Sequence, residues 1–177
     1  MDVRIGALLG IVGSLAATVA AAAGEELTLR ELPGNITEGT VVINAPPDEV
    51  YARATSFEQW PSVFSDVREA HWESGDREHA RVRFKSKSFE HSVTVKFDNV
   101  PGHLIRFRSV KAPPGARARG EYTLTPIDGG RRTAVVARLY MNVVGPGRLL
   151  VSGHKIESMR RLKLTLDLGD TERWFAR

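Results

Sequence analysis

The chain of 177 residues contains no cysteine. That absence removes disulfide frameworks, zinc–thiolate sites and thiol nucleophiles together. Histidine is scarce: the five, at positions 71, 79, 91, 103 and 154, are spread singly along the chain. No two have the short spacing of a preformed helical or turn metal site. The serines lie in no Gly-x-Ser-x-Gly elbow, and no glycine-rich loop follows a strand to cradle a phosphate. No metal ligand, no cofactor and no catalytic residue is therefore assigned. Excess charge is small as well, 25 Lys and Arg against 21 Asp and Glu, giving +4. That falls short of the electrostatic footprint of a dedicated nucleic-acid binder.

Long uncharged runs are missing too, with one exception. Ile5 to Ala23 carries no charge over 19 residues and ends in alanines before Gly24. Arg4, an apolar middle and small residues at Ala21 and Ala23 form the three-part pattern of an export signal, with Asp2 weakening the positive start. The run is also nearly long enough for an uncleaved membrane anchor, which needs about 20 residues. The expected organisation is a signal peptide or anchor over residues 1–23, a polar linker over 24–37 carrying Pro33 and Gly34, and one domain over 38–177. The expected setting is periplasmic or secreted, or anchored at a membrane.

The rest of the chain alternates with period two. Candidate strands are Val67 to Ser74, Glu78 to Lys87, Phe89 to Phe97, Leu104 to Val110, the stretch around Gly120, Tyr122 and Leu124, and Thr133 to Val144. Pro101-Gly102, Pro113-Pro114-Gly115 and Asp128-Gly129-Gly130 punctuate them. Strands so spaced predict a meandering antiparallel sheet, apolar on one side and wet on the other. Beyond Gly145-Pro146-Gly147, the residues Ile156, Met159, Leu162 and Leu166 recur at helical spacing, with His154, Glu157 and Arg161 opposite. Leu162 to Leu168 also alternates like a strand, but its leucines and lysine favour helix.

The start of the domain is the most specific stretch, TVVINAPPDEVYARATSFEQWP over Thr40 to Pro61. A β-branched strand breaks at Pro46-Pro47, and a helix begins, with Pro47 in its first turn and Asp48 and Glu49 at the positive end of its dipole. Trp60-Pro61 is expected to stop that helix.

With "VVINAPPDEVYARATSFEQWPSVFSDV" at the front and Gly120-Glu121-Tyr122-Thr123-Leu124 near the end, the chain resembles the START/SRPBCC superfamily over about residues 38–168. Polyketide cyclases and dehydratases, coenzyme Q-binding START-like proteins and birch-pollen-allergen-like proteins belong there. The resemblance implies an α+β helix-grip fold: a curved antiparallel sheet of about seven strands wrapped on a long C-terminal helix, with two short helices after the first strand. It also implies a cavity between sheet and helix.

Strand alternation then nominates ligand-binding residues on the sheet: Phe84, His91, Val93, Phe107, Tyr122, Leu139 and Met141. The helix contributes Ile156 and Met159, and the Trp-Pro break Trp60 and Phe64. Such a pocket suits a hydrophobic small molecule such as a lipid, quinone or polycyclic compound. The same residues would equally fill an ordinary core. A cyclase- or dehydratase-like enzyme with His91 and Tyr122 handling protons is the alternative function, and a protein-interaction domain with a filled core is a third. Glu69 and His71 share a strand face, but burying Trp72 costs less than burying a carboxylate, so that pair is expected at the surface. The stripe Arg81, Arg83, Lys85, Lys87, Lys96, Arg106 and Arg108 falls on the outer face. It serves either as a solvated face interleaved with Glu78, Glu90 and Glu121 or as a transient contact for an anionic membrane surface. Nucleic acid is not expected, and the oligomeric state is not legible.

Overall fold

In the computed structural model, which describes residues 27–87, 91–113, 115–145 and 151–176, the strands form one antiparallel sheet. The chain runs β1 (Thr28–Leu32), β2 (Ile36–Ile43), α1 (Pro47–Ala54), a 3-10 turn (Phe57–Gln59), α2 (Trp60–Val63) and β3 (Val67–Ser74). It continues through β4 (Arg81–Ser86), β5 (Ser92–Val100), β6 (Leu104–Lys111), β7 (Ala116–Ile127), β8 (Arg132–Val143) and α3 (Gly153–Phe175). The spatial order of the eight strands is β1-β2-β8-β7-β6-β5-β4-β3. One sheet, short helices at its start and a long helix at its end make a helix-grip fold.

The strand periodicity carries through. Ala80, Val82, Phe97, Ile105, Leu124, Ala137 and Leu139 are buried on the concave side, and each large apolar group so placed stabilises the fold by about 1.5–3 kcal/mol. Trp72 turns toward this core, and Glu69 and His71 face solvent, as burial costs require. The expected strand from Phe89 begins at Ser92, and residues 88–90 lie outside the described residues, as do 1–26.

Three expectations are corrected. Within the stretch 24–37 expected as a linker, Thr28–Leu32 pairs with β2 from Thr28↔Thr40 to Leu32↔Ile36 and makes an eighth strand. Its turn, Pro33-Gly34-Asn35, holds Gly34 at φ 85° and Asn35 at φ 60°, values that glycine and asparagine tolerate best. Leu27 and Leu29 then pack on the core. The second correction concerns Trp60-Pro61, which opens α2 rather than ending α1. The first helix ends at Thr55, and the Trp60 indole N–H donates to the Ala54 carbonyl at 3.0 Å, satisfying an end that α1 leaves open.

The third correction is the face of the long helix. Leu162, expected inside, is 60% exposed, whereas Arg160, Leu164, Asp167, Leu168 and Asp170 are buried. Leu164 and Leu168 sit over Gly39 of β2, where a Cβ would lie 2.7 Å from Leu168 Cδ1. Arg160, 4% exposed, donates from Nε to Thr37 Oγ1 and from a terminal nitrogen to Glu31 Oε2, both at 2.9 Å. A buried cation needs such partners, and they come from β1 and β2, elements remote in sequence.

On the convex side, charges alternate across strands. Arg30 meets Glu38 (2.6 Å), Glu38 meets Arg138 (2.9 Å), Arg138 meets Glu121 (3.5 Å) and Glu121 meets Arg106 (3.7 Å). Lys96 pairs with Asp98, Lys85 with Glu69 and Arg83 with Glu73. Glu38 is the buried member of this series, while the other, more exposed pairs stabilise little; together the pairing reduces the pull of the basic stripe on an anionic surface.

Candidate functional site

The long helix α3 packs mainly over β2 and β8, and of the concave face of β4–β7 the positions Val82, Phe97, Ile105 and Leu124 are buried while Phe84, Val93, Val95 and Phe107 stay half-buried. An aromatic chain floors that face. Trp60 stacks on Phe84 (centroids 4.9 Å), Phe84 meets Phe97 (6.2 Å), Phe97 meets Phe107 (6.3 Å) and Phe107 stacks on Tyr122 (5.8 Å). Phe57 of the 3-10 turn, fully buried, packs against Trp60 and Phe97. These contacts follow from register: Phe84 faces Val93, Phe97 faces Phe107, and Gly120 opposite Phe107 leaves room for its ring.

Of the residues nominated from sequence, Phe84, Val93, Phe107 and Tyr122 lie half-buried on the strands that form this trough, and Met141 is half-buried on the neighbouring β8. Ile156 and Met159 are half-buried on α3, and Trp60 is half-buried at the α2 end. Phe64 and Leu139 are core residues, 7% and 4% exposed, and back the trough rather than line it. His91 is corrected: it sits exposed just ahead of β5 and takes no place on the concave face. Two hollows of about 350 and 320 Å³ open instead on the convex side. Long charged side chains such as Arg83 and Lys85, or Arg106 and Arg138, rim them, so they are gaps in a solvated face.

Polar chemistry enters the trough from the helix, where hydrophobic periodicity gave no signal. The Tyr122 hydroxyl donates to Asp167 Oδ2 at 3.2 Å, and Lys163 Nζ donates to Asp167 Oδ1 at 2.6 Å. Lys163 and Asp167 are one turn apart on α3, a spacing that places them on one face. That i,i+4 pair was readable in the sequence; its meeting with Tyr122 was not. Burial first, then the Asp167 carboxylate, pushes the Tyr122 hydroxyl well above its ordinary 10.0, so it stays protonated. Burial alone would lower Lys163, but the carboxylates of Asp167, Asp66 and Asp170 outweigh it and hold the ammonium above its usual 10.5. Asp170 is itself kept below the ordinary 3.8. Burial opposes its charge, yet the Ser65 N–H and hydroxyl and the Arg173 guanidinium prevail. The cluster thus joins α3 to the corner between α2 and β3 at the edge of the trough.

A sheet gripping a terminal helix, with an apolar concave face half open beside it, defines the START/SRPBCC class. Within that superfamily the chain belongs to the polyketide cyclase / dehydrase and lipid transport family, which it matches over residues 36–166. Among solved structures, it is similar to the Zhui aromatase/cyclase from Streptomyces sp. R1128, at 18% identity and TM-score 0.65, covering 85% of this chain and 95% of that one. It is also similar to a START superfamily protein from Mycobacterium smegmatis, at 15% identity and TM-score 0.67, with coverage of 81% and 98%. A third is the di-domain aromatase/cyclase StfQ from the steffimycin biosynthetic pathway, at 15% identity and TM-score 0.66, covering 80% of this chain and 50% of that one. No curated protein matches. Identities this low speak to fold alone.

Proposed function

We propose that the protein binds a hydrophobic small molecule in the trough between the β4–β7 half of the sheet and α3. One observation carries this reading. Phe84, Val93, Val95 and Phe107 stay half-exposed on β4, β5 and β6, while α3 packs mainly on β2 and β8. Leaving that much apolar and aromatic surface accessible costs stability unless something of matching chemistry covers it. Lipids, quinones and polycyclic compounds have that chemistry. Export accompanies the reading, supported by the uncharged run Ile5 to Ala23.

A second reading is an enzyme of the cyclase or dehydratase type, supported by the likeness to two aromatase/cyclases. In this trough, Tyr122 and Lys163 both hold their protons and could polarise a carbonyl, but neither is free to remove a proton. Binding without turnover is therefore preferred.

The test is direct. The purified full-length chain should bind a neutral hydrophobic dye such as Nile red and gain thermal stability from it. Met141→Trp, which adds bulk at a half-open position, should weaken dye binding about tenfold while leaving the unfolding temperature nearly unchanged. A protein that ignores the dye, carries no ligand in native mass spectrometry and gains no stability from any hydrophobic compound would refute the proposal.

A further inference from the structure

We infer that the convex face carries a second binding site, a hollow that takes a phosphate-bearing small molecule through Arg108 and Arg119. It lies across the sheet from the trough and does not rest on the ligand-binding reading. Two neighbouring cross-strand rows make the case. In one, register lines up Asp98, Arg106, Glu121, Arg138, Glu38 and Arg30, a strict alternation of sign. Two residues along each strand, and so on the same face, register lines up Arg81, Lys96, Arg108 and Arg119, followed by Tyr140. The first row shows that these strands accept carboxylates on this face; the second has none. Like charges directly opposite each other destabilise a sheet. Lys96 is relieved by Asp98 at 2.8 Å. Among the described residues, Arg108 forms no ion pair or side-chain hydrogen bond, and the Arg119 guanidinium lies over the Tyr140 ring, 4.8 Å from its centroid.

A cavity stands at this place. Of the two convex hollows, the one of about 320 Å³ is lined by Arg106, Arg108, Arg119 and Arg138, against the carboxylates of Asp98 and Glu121. Glu121 is taken up by Arg106 at 3.7 Å and Arg138 at 3.5 Å, and Asp98 is held by Lys96 first, with Arg108 the weaker influence. Neither carboxylate neutralises the Arg108–Arg119 pair. An oxyanion bridging the two guanidinium groups does, and their planar forks match its geometry. A phosphate monoester, with nearly two negative charges and three acceptor oxygens, balances both arginines; a carboxylate balances one. Beside the cations, the Tyr140 ring and Ile36 give the hollow an apolar wall for the organic part of the ligand. The Tyr140 hydroxyl accepts from Asn142 Nδ2 at 3.1 Å, which leaves its own proton to donate. The hollow is open to solvent, as an exchangeable small anion requires. An anionic bilayer is the weaker fit, because it would also press on the alternating row and meet its carboxylates.

Phenyl phosphate, one phosphate on one ring, is the probe, titrated by calorimetry into the full-length chain at low ionic strength, with benzoate as the monoanionic control. Phenyl phosphate should bind about tenfold or more tighter than benzoate and raise the unfolding temperature. Arg108→Gln and Arg119→Gln should each weaken it about tenfold. The free Arg108→Gln protein should unfold at the wild-type temperature or higher, because the substitution removes a repulsion. Lys155→Gln, which removes one exposed charge from α3, should bind like the wild type. Equal binding of the two probes, undiminished binding in both arginine variants, or an equal loss in Lys155→Gln would overturn the site. So would a less stable Arg108→Gln, since the arginine would then serve the fold. Phosphatidylglycerol vesicles that sediment the wild type more than Arg108→Gln, with phenyl phosphate unbound, would overturn it in favour of a membrane contact.

Discussion

Asp170 shows how one side chain can serve both fold and site. It accepts from the Ser65 N–H at 2.7 Å and hydroxyl at 2.8 Å, tying α3 to the α2–β3 corner, and it adds negative charge beside Lys163. Its folded pKa lies below the ordinary 3.8, so it contributes stability above about pH 4 that is lost as pH falls through the lowered value. Asp170→Asn should be less stable at neutral pH by about 1–2 kcal/mol, since a charge-assisted hydrogen bond is weakened. Its unfolding temperature should also fall less steeply than that of the wild type below about pH 4, as followed by circular dichroism. Parallel acid profiles for the two proteins would sink this assignment. At this scale the sequence was legible where side chains are apolar: Phe84, Phe107 and Met141 were found by alternation. It misled at His91, because the alternation from Phe89 cannot show that the strand starts only at Ser92. It was silent on Arg160 and Asp167, because whether a buried charge is tolerable depends on partners 123 and 45 residues away in sequence.

Among the elements, the β1–β2 hairpin and the long helix depend on one another. Glu31 of β1 accepts from Thr37 of β2 and from Arg160 of α3, so the first strand, the second and the last helix share one polar node, with Arg160 and Thr37 buried and the Glu31 side chain partly exposed. Removing one partner of a buried pair typically costs about 3–5 kcal/mol, which makes the node a point where the fold can fail. Close approach fixes the rest. Gly39→Val would drive branched carbons into Leu168 Cδ1 and Leu29 Cδ2, at 2.7 and 3.0 Å from even the first added atom. That variant should lose about 1–3 kcal/mol, read as a lower urea midpoint, and lose less in a Leu168→Ala background that makes room. An additive double mutant would show that the helix does not rest on this contact. The Pro33-Gly34-Asn35 turn explains why this hairpin escaped notice. Proline and glycine mark a loop equally well whether or not strands flank it, and the short, mostly charged TLREL segment has little of the usual strand signal.

Across the whole molecule, the sheet separates two surfaces of opposite character. The convex one is laced with ion pairs from Arg30 to Arg106, and the concave one holds the aromatic chain from Trp60 to Tyr122. If Ile5 to Ala23 directs export, the protein expressed in its own host should appear outside the cytoplasm. Its intact mass should show loss of about the first 23 residues, or, for the anchor, the full mass in the membrane fraction. A full-length protein in the cytosol would overturn both.

The amino-acid sequence by itself determined the class of fold. Period-two strands, turn residues between them, the Ala45-Pro46-Pro47 break and a terminal helix are local signals, each set by backbone and side-chain preferences over a few residues. Only the tertiary structure decided which face of α3 turns inward, that 24–37 supplies a strand, and that Lys163, Asp167 and Tyr122 meet. The reason is physical. Charged groups are buried according to the partners that remote segments bring to them, and no local periodicity encodes that meeting.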